Sequence, residues 1–458
     1  MGKYFGTDGI RGIVNDGLDA ALAFRVGQAA AVVLAKNTDK KKPLVTIGKD
    51  TRISCDMLEA AITAGLCSAG ADVVFLGVIP TPAVAYITTD CGADAGIVIS
   101  ASHNPYEHNG IKIFNASGYK LSDELEEQIE ALIDSSEPLP KKTNGDIGRV
   151  MNYGEEYVDR YIEHVCSVSR GRIGRLKVMI DCSNGAASRT VGEIFGRFPL
   201  DIELIKDHPD GCNINAGCGS THIEYLGKMV VAGGFDLGLA FDGDADRCLA
   251  VDENGAVVDG DKIMAICGKA MLSEGRLKKN AIVATVMSNL GFHKYCGCNG
   301  IDLHCASVGD RNVLEMMQEK GFNLGGEQSG HMIFLDDETT GDGQLAAVHL
   351  LEVLSQSGKK LSQMAAEIPT YPQVLRNISI EGGNEVKKAI MEDVSLKKMI
   401  EAEESTLGDS GRILVRPSGT EALIRVMVEA ADMEISDKVA LLLASYIENL
   451  SKKIKNVN

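Results

Sequence analysis

The chain has 458 residues, of which 45% are hydrophobic and 24% are charged, and these proportions exclude a mostly disordered chain and a fibre. Its formal charge is −18, so it repels the phosphate backbones of nucleic acids and anionic membranes at long range. Trp is absent and aromatic residues make up only 5%, which argues against a surface on which nucleic-acid bases stack. We therefore expect a globular protein of roughly three to four domains that binds neither nucleic acid nor membrane.

The twelve cysteines indicate buried free thiols in a reducing compartment, because the chain is long for a disulfide framework and many of them lie in apolar runs. Their spacing does not match the CxxC pairs of zinc sites, so we predict no zinc. The first residues lack the apolar segment of a secretory signal, and the apolar stretch 20–35 is too short to span a bilayer. These observations predict a cytoplasmic protein.

Strand-like and helix-like segments alternate along the chain, which predicts successive α/β units. The first unit has predicted helices at 20–35 and 54–70 and predicted strands at 43–47, 71–76 and 95–99. The second has strands at 176–180, 235–241 and 248–251, and the third has strands at 281–285 and 331–335. The tail has strands at 412–415 and 422–428 and a helix from about residue 435. With breaks at 134–146 and near Pro369 and Pro372, the predicted domains are 1–150, 151–258, 259–368 and 369–458.

The first motif with chemical potential is Ser102-His103-Asn104-Pro105, which follows a predicted buried strand and precedes Lys112. Open α/β sheets bind ligands beyond the carboxyl ends of their strands, and this loop lies there. A serine beside a histidine and near a lysine is a candidate nucleophile. A plain polar turn is the alternative, because Ser, Asn and Pro all favour turns.

The second motif places Asp242, Asp244 and Asp246 at alternate positions, which share one side of an extended chain. Three carboxylates on one side repel each other unless a cation lies among them, and oxygen ligands favour Mg²⁺. An EF-hand loop is a competing interpretation, with Glu253 at its twelfth position. Arg247 stands where that loop needs Gly, and the flanking segments are strands. A solvated acidic turn is the remaining alternative.

The third motif is the glycine-rich segment Gly325–His331, which contains Glu327, Ser329 and His331. Its polar side chains could bind sugar hydroxyls or an amino group. An ordinary turn before a strand is an equally good interpretation of this pattern alone.

The fourth motif comprises Arg416, Ser418, Gly419 and Thr420, with Arg425 beyond it. An arginine, two hydroxyls and an exposed glycine amide can hold an anion. The Gly-Lys-Ser/Thr core of a Walker loop is missing, and a simple turn is the alternative. Taken together, the four motifs predict metal-assisted phosphoryl transfer on a small phosphorylated ligand.

In this order the four motifs resemble those of the α-D-phosphohexomutases, and the resemblance covers nearly the whole chain. Segments 102–105, 242–247, 327–331 and 416–420 are similar to the family's phosphoserine, metal, sugar and phosphate loops. Segments 4–12 and 213–222 resemble a branch that acts on glucosamine phosphates, although that branch commonly has Pro where this chain has Ala422. The resemblance implies three doubly wound α/β domains plus a smaller C-terminal α+β domain around a central cleft.

The resemblance also implies an isomerase that interconverts glucosamine 6-phosphate and glucosamine 1-phosphate, on the route to UDP-N-acetylglucosamine and peptidoglycan. The intermediates would be a phosphorylated Ser102 and a hexosamine 1,6-bisphosphate. One Mg²⁺ per chain would be held by Asp242, Asp244, Asp246 and an oxygen of the phosphorylated Ser102. Glucose or mannose phosphates as substrates, a metal-dependent phosphatase and a non-catalytic phosphosugar sensor are the alternatives. A homodimer is left open.

In the roles that the resemblance implies, Lys112 or His103 moves the proton of the sugar hydroxyl and Arg247 holds the phosphoryl group. His331 serves as a ligand or as a second acid or base. The residues that would bind the substrate are Thr7 and Arg11 in the cleft, Glu327 and Ser329 on the sugar, and Arg416, Ser418, Gly419, Thr420 and Arg425 on the phosphate that does not react.

Overall fold

The computed structural model describes residues 2–6, 8–152, 154–169, 173–418 and 421–457. The chain divides into two compact units. The first unit comprises Met1–Met287 and Gly300–Glu367, and the second comprises Ser288–Asn299 and Ile368–Asn458. Among the described residues, no helix is both long enough and apolar enough to cross a membrane.

The largest sheet of the first unit has eight strands. They are β1 (Phe5–Gly6), β2 (Gly9–Val14), β3 (Gly17–Leu18), β4 (Leu44–Lys49), β5 (Asp72–Val78), β6 (Ala95–Ile99), β7 (His108–Asn115) and β8 (Val150–Met151). Their order is β1-β2-β7-β6-β4-β5-β8, with β3 beside β2. The accompanying helices are α1 (Ala20–Leu34), α2 (Cys55–Ala69), α3 (Thr81–Asp90), α4 (Asp123–Asp134) and α5 (Gly154–Ser167).

Helices α1 and α2 cross closely because each has a glycine at the contact. A Cβ on Gly27 would lie 2.3 Å from the carbonyl oxygen of Ile62, and one on Gly65 would lie 2.1 Å from that of Phe24. Helix α2 then ends at Gly70, whose φ of 101° suits a residue without a side chain. This pair covers the buried, aliphatic face of β4 and β6 and so supports the strand that leads to Ser102.

Two smaller sheets complete the first unit. One has β9 (Lys177–Asp181), β10 (Asp201–Ile205), β11 (Leu237–Phe241), β12 (Cys248–Asp252) and β13 (Val257–Val258) in the order β10-β9-β11-β12-β13, with α6 (Ala187–Phe195) and α7 (Glu224–Gly233). The other has β14 (Ala281–Thr285), β15 (Asp302–Ala306), β16 (Leu324–Gly326) and β17 (Met332–Phe334) in the order β15-β14-β16-β17. Its helices are α8 (Gly260–Ser273), α10 (Asp310–Lys320), α11 (Gly343–Ser357) and α12 (Leu361–Ala365).

The second unit has an antiparallel sheet covered by helices. Its strands are β18 (Gln373–Ser379), β19 (Arg412–Pro417) and β20 (Leu423–Glu429), in the order β18-β20-β19. Its helices are α9 (Leu290–Cys298), α13 (Gly383–Glu392), α14 (Val394–Leu407) and α15 (Met433–Val457). Within the described part of the chain, short 3₁₀ turns lie at Asn144–Asp146, Lys278–Asn280 and Gly408–Ser410.

Helix α9 belongs to the second unit through a buried carboxylate. The side chain of Glu429 is fully buried and accepts hydrogen bonds from the side chain of Asn289 at 3.2 Å and from the amide of Leu290 at 3.0 Å. Arg412 donates to the same carboxylate at 2.6 Å. The start of α9 is thereby fixed to β19 and β20.

The observed elements lie within about two residues of the predicted strands and helices, and their arrangement agrees with the predicted fold class. One difference is that each of the three α/β sheets includes antiparallel strands, such as β7 beside β6 and β12 beside β11. The predicted boundaries between four domains stay a prediction.

A buried carboxyl group makes the first unit's stability depend on pH. Glu338 is 5% exposed, and its Oε2 accepts no hydrogen bond from any residue in the described ranges. Burial raises its pKa from an ordinary value of 4.5 to about 8, with a further contribution from the charge of Asp342. The folded protein therefore holds a proton that the unfolded chain has released, so stability is present at low pH and is lost as the pH rises to about 8.

Glu338→Gln should remove this dependence because the amide does not titrate. Between about pH 5 and 8 the free energy of unfolding of the wild type should fall more steeply than that of the variant, by up to about 1.4 kcal/mol per pH unit. Chemical denaturation of both proteins across this range measures the difference. Equal slopes would show that the Glu338 carboxyl group does not titrate there.

Candidate active site

The loop between β6 and β7 presents Ser102 to a carboxylate. Ser102 is buried and has a φ of 50°, and its Oγ donates a hydrogen bond of 2.7 Å to Oδ2 of Asp242. The Nδ1 atom of His103 lies farther away, at 3.4 Å. The nearest partner of the predicted nucleophile is therefore an aspartate from the predicted metal loop.

The neighbouring His103 is held in its neutral form. Burial lowers its pKa to about 4, and the positive charges of Arg247 and Arg11 act in the same direction. A neutral imidazole beside Ser102 is able to accept a proton near pH 7.

The three aspartates converge in the turn between β11 and β12. One carboxylate oxygen from each of Asp242, Asp244 and Asp246 lies within 4.8 Å of the others, and all three residues are buried. The sequence predicted this convergence for the wrong reason. It treated the three residues as alternate positions of an extended chain, whereas they lie in a turn. Ala245, with a φ of 58°, provides the reversal. Strands flank the loop on both sides, which excludes an EF-hand.

The aspartate cluster fits a divalent cation. The Oδ1 atoms of Asp244 and Asp246 are buried and accept no hydrogen bond from the described residues. Burial raises the pKa of Asp242 well above its usual range, and the charges of the other two aspartates add to this effect. A hard cation would compensate these charges and use the free oxygens as ligands.

The remaining oxygen of Asp244 is fixed by two donors. Thr81 Oγ1, at the start of α3, donates to Asp244 Oδ2 at 2.7 Å, and Lys112 Nζ donates to it at 2.9 Å. Burial alone would raise the pKa of Asp244, but the charge of Lys112 and these two hydrogen bonds lower it below its usual range. Asp244 is thus ionised and orientated before any cation binds.

Lys112 lies among carboxylates. Besides Asp244, its Nζ is 3.2 Å from Asp8 Oδ2 and 3.6 Å from Asp246 Oδ2. Burial would lower the pKa of this lysine, but the charges of Asp244 and Asp8 outweigh it and raise the pKa above the usual range. Lys112 is therefore a fixed positive charge in the ligand-free protein.

Sequence reasoning missed a network of charged side chains that adjoins this site. Lys120 Nζ contacts Asp8 Oδ1 and Asp310 Oδ2, each at 2.6 Å, and Arg11 is paired with Asp8. Lys120 and Asp310 are 190 residues apart and belong to no local motif. Asp8 could have been found from the sequence, because it lies within the N-terminal segment 4–12 that supported the family resemblance.

The predicted sugar loop connects β16 to β17 and is tied to the metal loop. The amide of Cys248 donates to the carbonyl of Gly330 at 3.0 Å, and the backbones of Arg247 and His331 form an antiparallel bridge. The amide of Arg247 also donates to Asp242 at 3.2 Å. The predicted sugar loop and the predicted metal loop are therefore adjacent in the fold.

Within this loop the side chains differ in exposure. His331 is buried, and neither of its ring nitrogens has a hydrogen-bond partner among the described residues, the nearest carboxylate being Asp310 at 3.8 Å. Glu327 is half-buried and accepts a hydrogen bond from the amide of Gly309 at 3.1 Å, while Ser329 is exposed. His331 is thus free to bind a ligand.

Two of the predicted phosphate-binding residues, Arg416 and Arg425, lie in the sheet of the second unit. Arg416 on β19 stands directly opposite Arg425 on β20. Like charges opposite each other destabilise a sheet, and burial together with the Arg425 charge lowers the pKa of Arg416. Lys387 donates to the carbonyls of Ser418 at 2.8 Å and Glu421 at 3.1 Å, so it fixes both ends of the loop. An anion would relieve the repulsion of the two arginines.

Three of the predicted substrate-binding residues, Thr7, Gly419 and Thr420, lie outside the described residues. Every other predicted residue is described, and those of the first three motifs adjoin one another within the first unit.

Four family models match consecutive parts of the chain. Models described as the α/β/α domains I, II and III of phosphoglucomutase/phosphomannomutase match residues 2–139, 155–255 and 259–371. The model of the C-terminal domain of the same family matches residues 382–444.

Similar full-length proteins are named phosphoglucosamine mutase. The protein of Acetivibrio thermocellus is 53% identical over 449 residues, which cover 98% of this chain and 99% of that relative. Those of Thermoanaerobacter pseudethanolicus and Ruminiclostridium cellulolyticum are each 51% identical, again over 98% of this chain and 99% of the relative.

Solved structures share the fold. A phosphoglucomutase/phosphomannomutase family protein of Burkholderia thailandensis has a TM-score of 0.78 at 23% identity, with 97% of this chain and 98% of that one covered. The N-acetylphosphoglucosamine mutase of Aspergillus fumigatus, solved with GlcNAc-6P and magnesium, has a TM-score of 0.67 at 18% identity, with 98% and 96% covered. The predicted resemblance and fold class are confirmed, and the chain belongs to the α-D-phosphohexomutase family.

Proposed function

We propose that this protein is a phosphoglucosamine mutase, an isomerase that interconverts glucosamine 6-phosphate and glucosamine 1-phosphate. Relatives with this name are about half identical to it over nearly the whole chain. The observation that carries the proposal is the hydrogen bond between Ser102 Oγ and Asp242, which sets a nucleophile against a buried cluster of three aspartates. The product lies on the route to UDP-N-acetylglucosamine and peptidoglycan.

The proposed reaction begins with a phosphorylated Ser102. The free hydroxyl of the sugar attacks the phosphorus, the bond to Ser102 Oγ breaks, and a hexosamine 1,6-bisphosphate forms. The proton of that hydroxyl passes to the neutral His103. Lys112, the other predicted acceptor, cannot take this proton because its raised pKa keeps it protonated. After the bisphosphate reverses its orientation, Ser102 takes back the other phosphoryl group, so no phosphate is lost over the cycle.

Asp242, Asp244 and Asp246, with an oxygen of phosphorylated Ser102, would hold one Mg²⁺. When bound, this ion neutralises charge that develops on the transferred phosphoryl group. Lys112 and Thr81 keep Asp244 orientated as a ligand.

The remaining residues bind and orient the substrate. Arg247, next to the aspartates, holds the phosphoryl group, and His331 has free ring nitrogens for a ligand or for a second proton transfer. Glu327 and Ser329 hold sugar hydroxyls. In the second unit, Arg416 and Arg425 with the loop that follows Arg416 hold the phosphate that does not react.

The test measures kcat/KM with the 6-phosphates of glucosamine, glucose and mannose, in parallel with release of inorganic phosphate. We expect the glucosamine substrate to give the highest kcat/KM and phosphate release to stay far below turnover. Steady release of phosphate would instead identify a phosphatase, and a higher kcat/KM with a neutral sugar would identify a different mutase of this family.

Arg416→Ala should lower kcat/KM by about 10- to 150-fold, because a paired arginine–phosphate contact contributes roughly 1.5–3 kcal/mol. The melting temperature should not fall, since the substitution also removes the repulsion from Arg425 on the adjacent strand. Arg416→Lys should restore activity only in part, because an ammonium cannot make the paired contact. An unchanged kcat/KM in Arg416→Ala would show that other residues hold the phosphate.

A further inference from the structure

Two side chains bind the backbone of the Ser102 loop at the same two atoms. Arg52 Nη2 donates to the carbonyl oxygens of Ser102 at 2.9 Å and Asn104 at 2.8 Å. Asn215 Nδ2 donates to the same two oxygens, at 2.9 Å and 3.1 Å. Each of these carbonyls thus accepts two side-chain hydrogen bonds.

Arg52 extends this set of contacts along the loop. Its side chain is fully buried and paired with Asp50 at 2.8 Å, and its Nη1 donates to the carbonyls of Pro105 and, at 3.0 Å, of His108. Asp50 also accepts a hydrogen bond of 2.6 Å from Ser100 Oγ. One guanidinium therefore binds four carbonyls between residues 102 and 108.

The amide orientation of Asn215 follows from its partners. Carbonyl oxygens only accept hydrogen bonds, so the Nδ2 atom must face Ser102 and Asn104. Its Oδ1 then accepts the hydroxyl of Ser183 at 2.7 Å. Asn215 belongs to the segment 213–222, which the proposed chemistry leaves without a role.

These contacts fix an uncommon backbone conformation. A φ of 50° at Ser102 is unusual for a residue with a side chain and persists only where its surroundings hold it. The Ser102 carbonyl also reaches the metal loop, since a Cβ on Gly243 would lie 2.5 Å from its oxygen. Movement of this carbonyl would therefore move Ser102 Oγ away from Asp242.

We propose that Arg52 and Asn215 are positioning residues that hold the Ser102 loop in the geometry required for phosphoryl transfer. They act through the backbone and touch neither the sugar nor the transferred phosphoryl group. This inference rests on the proposed mutase function, because it concerns the step in which Ser102 exchanges its phosphoryl group.

Asn215→Asp tests the inference sharply. An ionised aspartate has nearly the same size and still accepts the Ser183 hydroxyl, but it cannot donate and sets a charged oxygen against two carbonyls. We expect kcat to fall by about 10- to 100-fold, as small displacements of reacting groups do, while KM for glucosamine 6-phosphate changes less than about twofold. The single-turnover rate of phosphoryl transfer from radiolabelled phosphoenzyme should fall by the same factor as kcat.

Two matched variants separate positioning from general structural damage. Ser183→Ala removes the bond to Asn215 Oδ1 and leaves both donated bonds, so kcat should stay within about threefold of the wild-type value. Asn213 lies two residues away, and among the described residues its side chain bonds only to its own turn, at His208 and Asp210. Asn213→Ala should therefore leave kcat unchanged. If Asn215→Asp fails to fold, Arg52→Lys replaces it, because lysine keeps a charge beside Asp50 but cannot reach four carbonyls.

The two possible failures are distinguishable. A wild-type protein without mutase activity would overturn the proposed function itself. An active wild type with unchanged kcat and transfer rate in Asn215→Asp, or with only KM altered, would overturn the positioning role. Equal losses in Asn213→Ala and Asn215→Asp would do the same.

Discussion

Ser102→Ala should lower kcat for the mutase reaction by on the order of 10⁴-fold or more, because alanine cannot carry the phosphoryl group that the reaction exchanges. The fold should be unaffected, since the hydroxyl donates one side-chain hydrogen bond, to Asp242, and the backbone contacts of the loop remain. Affinity for glucosamine 6-phosphate, measured by calorimetry, should stay within a few-fold of wild type.

Intact mass and a coupled assay for glucosamine 1-phosphate report on the two halves of this prediction. Wild-type protein incubated with a hexosamine 1,6-bisphosphate should gain one phosphoryl group, whereas Ser102→Ala should gain none. Ser117→Ala, at an exposed serine after β7, is the matched control and should keep full activity. Turnover by Ser102→Ala at the wild-type rate would remove Ser102 from the mechanism.

The second large effect is expected at the aspartate cluster. Asp244→Asn removes one of three negative charges and leaves a site with weaker attraction for a cation, so the metal concentration for half-maximal activity should rise by about 10- to 100-fold. Raising the Mg²⁺ concentration should restore part of the activity, and exhaustive chelation should abolish wild-type turnover. Calorimetric titration with Mg²⁺ gives the affinity independently of activity.

Glu253→Gln is the control that distinguishes an EF-hand loop, in which Glu253 would bind the ion, from a site formed by the three aspartates alone. Glu253 stands at the twelfth position of an EF-hand pattern that begins at Asp242, but its carboxylate bonds to Ser362. We expect Glu253→Gln to bind Mg²⁺ with wild-type affinity. A loss equal to that of Asp244→Asn, or full activity after chelation, would contradict the assignment of the three aspartates.

The sequence predicts well those features that local pattern determines. Strand β6 is an unbroken apolar run and helix α2 ends in glycine, so both were predicted almost to the residue. The aspartates of the metal loop were identified because their charges lie close together in sequence. Their convergence nevertheless depends on the left-handed turn at Ala245, which the alternation of an extended strand does not describe.

Contacts between distant segments were not predictable in the same way. Lys120 and Asp310 form one ion pair, yet neither stands in a distinctive local pattern. Arg52 resembles any arginine that follows a strand, and only the folded chain brings its guanidinium to the Ser102 loop. Family resemblance supplied Asp8 and Asn215 as members of similar segments, but not what they contact.

The attachment of α9 to the second unit has a consequence for dividing the chain. The third family model spans residues 259–371 without a break, yet Ser288–Asn299 is part of the compact unit that contains the C-terminal sheet. A protein fragment starting at residue 368 would lack Asn289 and Leu290, both of which donate to the buried carboxylate of Glu429. The C-terminal module is therefore discontinuous in sequence. To be produced separately, it needs the twelve-residue segment Ser288–Asn299, either as an added peptide or joined through a linker to residue 368.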